Sequence, residues 1–454
     1  MTFKEFLADI GRDAHLALPH DWNALDEIQL AQRFLTLANR FFFQTSDQIG
    51  LTDFDGEEFQ YFSEFHRFWE TNHQRIINCR IDRGQARLAA EAFIDTLENH
   101  GHEIFELNHN LHGLTVQQLA QVRFFTASQD FRQPPENQFA IFLEQPEVFE
   151  RQAVQEDPDA FLGSMGLNRL SQSDKRRDFA KNSARFLNEL NIDAYGIADR
   201  YNNDAVAIRA AIMAIGNTGY GAKKTNMFIR DMFVWHVWPN LENIELIDVA
   251  SDLNTMKVAL RARILQTDIP LLSSFLDIFC HQYGYIDNMS ARAWRVVWEE
   301  WVELDSETAP ESPCMLDFFI YRLGREYCMP KAGRYECEGG HHFWRFGNRL
   351  VERRCPICDG QRPGVRRMAR LTDYLLPCQV PPNELPRNDD GSLLMDADNL
   401  FHVLDGNCLF TPVCRPNTPE FRLTMPPKSI SVKGQTGWTE AYSYQAQGGG
   451  GLSS

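Results

Sequence analysis

Apolar positions recur along this chain at spacings of three and four, the period of a helix with one buried face. Leu30, Ala31, Phe34, Leu35, Leu37, Ala38, Phe41 and Phe42 follow it, and so does the run from Arg87 to His100. Phe59, Tyr61, Phe62, Phe65, Phe68 and Trp69 supply aromatic filling between such helices. Residues 1–115 therefore read as an N-terminal helical domain with no chemistry of its own and a scaffolding or partner-docking role. The pattern continues through 116–330, punctuated by turn signals at Pro134-Pro135, Asp157-Pro158, Gly163, Gly166 and Asn202-Asn203-Asp204. Ser173 to Leu190 predicts a capped amphipathic helix whose polar face carries Lys175, Arg176, Arg177, Lys181 and Arg185. Ala205 to Ile215 predicts a second helix, and Lys223 to Val234 a third. The fold class is mainly α.

Past residue 330 the pattern changes. Residues 331–370 concentrate cysteines and arginines, and 371–454 are rich in proline and loop formers, ending in the flexible QAQGGGGLSS. The whole chain has 454 residues and a net charge of −17, which argues against uniform coating of a polyanion. The charge is uneven, however. Residues 1–150 carry 11 basic against 24 acidic side chains, and 321–370 carry 12 against 5. A local basic face suits phosphate while the acidic N-terminal domain suits a protein partner. No apolar run reaches membrane-spanning length, and the acids in MTFKEFLADIGRD argue against an export signal, so a cytoplasmic setting is expected. Ten cysteines in such a setting imply free thiols and a metal site.

The segment from Gly216 to Lys224 invites three phosphate-binding readings. A nucleotide-binding P-loop places a lysine directly after its second glycine, where this chain has Ala222. A dinucleotide fingerprint follows a strand and has a third glycine, where this chain has Lys224. The remaining reading is a tight turn between two helices, with Gly219 and Gly221 letting backbone N–H groups approach one phosphate. Ile215-Gly216-Asn217-Thr218-Gly219-Tyr220-Gly221-Ala222-Lys223 resembles the hairpin of the helix-hairpin-helix DNA glycosylases, and the helices either side fit that fold. The resemblance implies that Lys223 is the amine that attacks the sugar, with Lys224 beside it for DNA contact. Ser251-Asp252-Leu253-Asn254-Thr255-Met256-Lys257-Val258 is similar to the second family motif, in which an aspartate opens a helix. It implies Asp252 as the catalytic carboxylate, with Asp248 as its competitor and Lys257 and Arg261 toward DNA. Asn254 and Lys257 stand where the family has histidine and arginine. The insertion from Phe233 to Glu242 makes the lysine-to-aspartate distance longer than usual. Its Trp235 and Trp238 read as core side chains, with stacking on an extruded base as the alternative.

Cys337 and His341, then Cys355 and Cys358, give two knuckles with the spacing of a four-ligand tetrahedral site. The stretch resembles a zinc ribbon, which implies structural Zn2+ on these four residues, with His342 as a substitute for His341. Many helix-hairpin-helix glycosylases instead carry an iron–sulfur cluster. That would recruit Cys328, but the intervening 8, 17 and 2 residues depart from the compact family loop, so zinc is preferred. The expectation is a DNA N-glycosylase with AP-lyase activity that excises a modified base. The alternatives are a non-enzymatic DNA-binding or complex-forming protein and an N-glycosidase on free nucleotides or RNA.

Overall fold

The computed structural model describes residues 24–33, 71–100, 111–129, 137–168, 172–268, 282–324, 332–346, 355, 357, 358, 367, 369–375, 410–414, 429, 430, 444 and 445. Most of these residues are helical. The aromatic run from Phe59 to Trp69 lies outside them, as does Cys328. No helix among the described residues is long and apolar enough to cross a membrane.

Residues 27–33 and 71–77 are helical and precede β1 (Arg80–Ile81) and α1 (Arg83–His100). Next come α2 (Val116–Ala127), α3 (Asn137–Glu144), α4 (Arg151–Glu156), α5 (Pro158–Ser164) and α6 (Ser173–Leu190). The chain continues through α7 (Ile197–Arg200), α8 (Ala205–Ala214), α9 (Ala222–Val234), α10 (Leu253–Arg261), β2 (Leu265–Gln266), α11 (Gln282–Leu304) and α12 (Asp317–Arg322). Strands β3 (Ala332–Cys337), β4 (His342–Phe346) and β5 (Ala369–Leu375) follow. Two compact units result. One joins Leu97–Leu253 to Trp294–Phe319, and the other joins Met1–Thr96 to Asn254–Ala293 and Ile320–Ser453. Each unit is assembled from discontinuous segments of the chain.

The regular elements described in the first unit are helices, with one isolated parallel bridge between Asp204 and Glu242. Local signals set its helix starts. Thr115 and Gln118 form a reciprocal capping box on α2, Asp157 accepts from the Ala160 N–H of α5, and Asp204 accepts from Val206 and Ala207 of α8. The predicted helix from Ser173 is present as α6, but its start differs. Gln172 precedes it in a left-handed conformation (φ 64°) with no side-chain cap. The core gathers Phe124, Phe125, Phe149, Phe161, Ile208, Ile212, Phe228, Ile229 and Met232, all fully buried. Each contributes roughly 1.5–3 kcal/mol by leaving water.

Two sets of buried charge sit within this helical packing. Arg123 Nε donates to Asp231 Oδ2 at 2.7 Å, Arg230 Nη2 donates to Asp231 Oδ1 at 2.6 Å, and Arg230 also pairs with Asp317. The Arg230 guanidinium lies 4.1 Å from the Phe318 ring centroid. Burial acts to raise the Asp231 pKa. The Arg230 and Arg123 guanidiniums outweigh it and hold the carboxyl below its usual range. Arg176 is the second case. Expected on the polar face of α6, it is instead fully buried. Its Nη1 donates to the Gln129 carbonyl at 3.1 Å, and Gln129 Nε2 donates back to the Arg176 carbonyl at 3.1 Å.

In the other unit, β1 and β2 pair antiparallel with Arg80 opposite Gln266. Asp268 ties this corner together by accepting from Arg80 at 2.6 Å, Asn78 at 2.8 Å and Gln32 at 3.3 Å. The cysteine-bearing segment forms a three-stranded antiparallel sheet in the order β4-β3-β5. Tyr335 opposes Phe343 across β3 and β4, and their rings stack at 5.4 Å.

Candidate functional site

Helices α8 and α9 are joined by a turn running from Ile215 to Gly221, with both helix ends within one residue of their predicted positions. The turn is built by two left-handed residues, Asn217 at φ 53° and Gly219 at φ 77°. Gly219 has no room for a side chain. A Cβ there would meet Phe179 Cδ2 at 2.7 Å and the Ser128 carbonyl at 3.0 Å. Gly221 differs, because a Cβ on it would meet nothing within 4 Å. Asn182 donates to the Asn217 carbonyl at 2.8 Å, and the Tyr220 hydroxyl donates to the Phe124 carbonyl at 2.6 Å. Tyr220 also stacks on Phe124 at 5.4 Å, which roots the turn in the core.

The two lysines after this turn point to different tasks. Lys223 is 44% exposed, and its Nζ lies 3.6 Å from Asp252 Oδ2, whose side chain is 14% exposed. Adjacent Lys224 turns inward and donates to the Ser128 carbonyl at 2.6 Å. The long insertion between motifs therefore does not keep Lys223 and Asp252 apart. Asp248 is engaged elsewhere, accepting from Arg295 Nε at 2.6 Å. Arg295 Nη1 also donates to the Glu245 carbonyl at 2.9 Å. Trp238 is 2% exposed and donates to the Tyr195 carbonyl at 3.0 Å, while Trp235 packs edge-on against Phe139. Both belong to the hydrophobic packing of the unit. Asp252 immediately precedes α10, where the sequence placed it. Lys257 Nζ donates to Asn254 Oδ1 at 3.2 Å, and Arg261 is 4% exposed, so its guanidinium is interior rather than on the surface.

The basic face expected on α6 is partly neutralised. Arg177 pairs with Asp159 and Asp174, and Arg185 lies 3.7 Å from Glu189. Lys175 and Lys181 are exposed on the same helix.

The second cluster lies in the sheet module. Cys337 ends β3, the turn Glu338–Gly340 follows with Gly340 at φ 75°, and His341 precedes β4. Cys355 and Cys358 form the opposing knuckle. His341 Nδ1 lies 3.5 Å from Cys337 Sγ, 3.7 Å from Cys355 Sγ and 3.3 Å from Cys358 Sγ. Cys337 and Cys358 sulfurs are 3.8 Å apart, and all four ligand atoms lie within 4.8 Å of one another. Tetrahedral Zn2+ with ordinary bond lengths sets sulfur–sulfur separations of about 3.8 Å and sulfur–nitrogen separations of about 3.5 Å. The four residues thus fit a single metal ion, with His341 rather than His342 in the set. Burial opposes the Cys337 thiolate, yet the backbone N–H groups of His341 and Gly339 and the Cys355 and His341 side chains bring its pKa down to about 6. Burial and the neighbouring sulfurs push Cys358 up to about 11. Gly339 lies close under the exposed, flexible end of Arg367, which would shift for a side chain. A Cβ would sit 2.8 Å from Arg367 Nη1 and 3.4 Å from Cys337 Sγ. Of the cysteines without ligand spacing, burial pushes Cys314 up to about 11 and Cys79 up to about 12.

No known family model matches the chain, and no curated protein matches it significantly in sequence. Sequence reading missed Asn226, Arg209 and Arg295, which brace the Lys223 region from positions scattered along the chain. Their types carry no local motif.

Proposed function

We propose that the chain is a DNA N-glycosylase with an AP-lyase step, in which Lys223 is the nucleophile and Asp252 its carboxylate partner. The observation that carries this reading is the 3.6 Å approach of Lys223 Nζ to Asp252 Oδ2 beside a tight helix-to-helix turn. An ammonium is not a nucleophile, so the lysine must first release a proton, and Asp252 is the adjacent base. The neutral amine attacks C1′ of the deoxyribose. The C1′–N bond breaks with its electron pair leaving on the base, which takes up a proton. The proton that Asp252 took from Lys223 goes to the departing base, and Asp252, ionised again, offsets positive charge developing on the sugar. Opening of the sugar ring gives an imine between Lys223 and C1′. Loss of a C2′ proton then expels the 3′ phosphate, cutting the strand. The turn at Gly219 and Gly221 binds a backbone phosphate through its N–H groups.

The module at Cys337, His341, Cys355 and Cys358 holds structural Zn2+. Bound there, the ion would supply a structural crosslink between the two knuckles.

Borohydride trapping on DNA containing an abasic site tests the lysine chemistry. The wild-type protein should give a covalent protein–DNA adduct, and Lys223→Ala should give none. DNA binding with no wild-type adduct would leave the turn as a grip and remove the lyase assignment.

A further inference from the structure

We infer that Asn226 is a positioning residue, which sets the separation between Lys223 and Asp252 without touching substrate. The inference rests on the reading of those two residues as the reacting pair. They come from segments 29 positions apart, and a half-exposed ion pair is too weak to fix one segment against the other. Asn226 lies one helical turn beyond Lys223 on the same side of α9. It is 3% exposed, and both ends of its amide are used. Its Oδ1 accepts from Arg209 Nε at 2.7 Å, and its Nδ2 donates to the Asp248 carbonyl at 3.0 Å.

Chemistry fixes the direction of that amide. A guanidinium has donors only, so the oxygen of Asn226 must face Arg209 and the NH2 must face the Asp248 carbonyl. Arg209 on α8 thus aims Asn226 on α9 at the strand of backbone that leads to Asp252. The far side of that backbone is held as well, by Arg295 on Asp248 Oδ1 and on the Glu245 carbonyl. Between Asp248 and Asp252, Val249, Ala250 and Ser251 are buried, so the segment has little freedom to take up slack. Asn226 is the bridge from the lysine's own helix to the aspartate's segment.

Asn226→Asp keeps the acceptor for Arg209 and replaces the donor with a carboxylate oxygen facing a carbonyl. It should push the segment away. Two measurements on the full-length protein follow. The first is carbodiimide coupling, which condenses a contacting amine and carboxylate into an amide while the reagent takes up the water. Peptide mapping should find a Lys223–Asp252 crosslink in the wild type and a several-fold lower yield in Asn226→Asp. The second is single-turnover adduct formation on abasic DNA, which should fall on the order of 100-fold with DNA affinity unchanged. In an Asp252→Asn background, Asn226→Asp should cost nothing further. Arg209→Met, which leaves the amide free to turn, should show a smaller loss in both measurements and covers the case in which Asn226→Asp does not fold. Wild-type crosslinking that Asn226→Asp and Arg209→Met leave unchanged would overturn the inference. An equal loss of rate with and without the Asp252 carboxylate would overturn it too. Absence of any wild-type DNA adduct would instead strike the lyase reading, and the crosslink yields would still judge Asn226.

Discussion

The lysine–aspartate pair and the cysteine–histidine cluster are both tight groups of polar side chains, and they are held by different means. Around Lys223 the work is spread over the helical unit. Tyr220 stacks on Phe124, Asn226 bridges Arg209 to Asp248, and Asp231 anchors the middle of α9 between two arginines. In the sheet module the described core is Tyr335, Phe343 and Ala369 together with Cys337, Cys355 and Cys358. Half of that core is three of the four candidate ligands. A cluster of this kind is concentrated, so one ion bound there would carry much of the module's stability, whereas the helical site depends on the sum of many contacts.

Metal removal should expose that difference most sharply. Structural zinc in small modules contributes roughly 10–16 kcal/mol of binding free energy that is also folding free energy. Chelation, or Cys355→Ala, should therefore abolish metal content and the hydrogen-exchange protection of β3, while protection within α9 persists. Loss of protection in both places would mean that the two regions do not fold as separately as their cores suggest.

Within the helical unit, Asp231→Asn is expected to have the next largest effect. It leaves Arg123 buried against a neutral partner and takes from Arg230 one of its two carboxylates, a change that costs about 3–5 kcal/mol. Denaturant melts should show the loss while metal content is retained. The same carboxylate sets a pH dependence. Its folded pKa lies below the unfolded value of about 3.9, so its contribution is present above that value and is lost as pH falls through the lower, folded pKa. Acid unfolding of the helical unit should accordingly begin below about pH 4, and metal should leave the module at higher pH because protons compete for its ligands. Circular dichroism and metal release followed through one acid titration would reverse the comparison if helix loss came first.

The smallest effects separate the two glycines of the turn. Gly219→Ala meets Phe179 and a left-handed backbone and should cost roughly 1–3 kcal/mol. Gly221→Ala meets nothing within 4 Å and should stay within about 0.5 kcal/mol. A thermal melt distinguishes them, and if Gly221 lines a phosphate path its alanine variant should weaken DNA binding alone.

What the sequence revealed follows the same divide. Helices α8 and α9 and the turn between them were legible because periodicity and glycine spacing are local. The four metal ligands were legible because knuckle spacing is local too. Arg176 was misread as part of a solvated face because its partner, Gln129, lies 47 residues away. The pairing of Arg230 with Asp317 and the bracing of Asp248 by Arg295 were invisible for the same reason.

Lys223 and Lys224 are identical in type and adjacent in sequence, yet one amine faces Asp252 from a half-exposed position and the other is committed to the Ser128 carbonyl. To an acylating reagent they are different compounds. Of these two amines a limiting dose reaches Lys223 and spares Lys224, so labelling at this turn, read beside the exposed Lys175 and Lys181 of α6, reports on the mouth of the proposed site through one lysine alone.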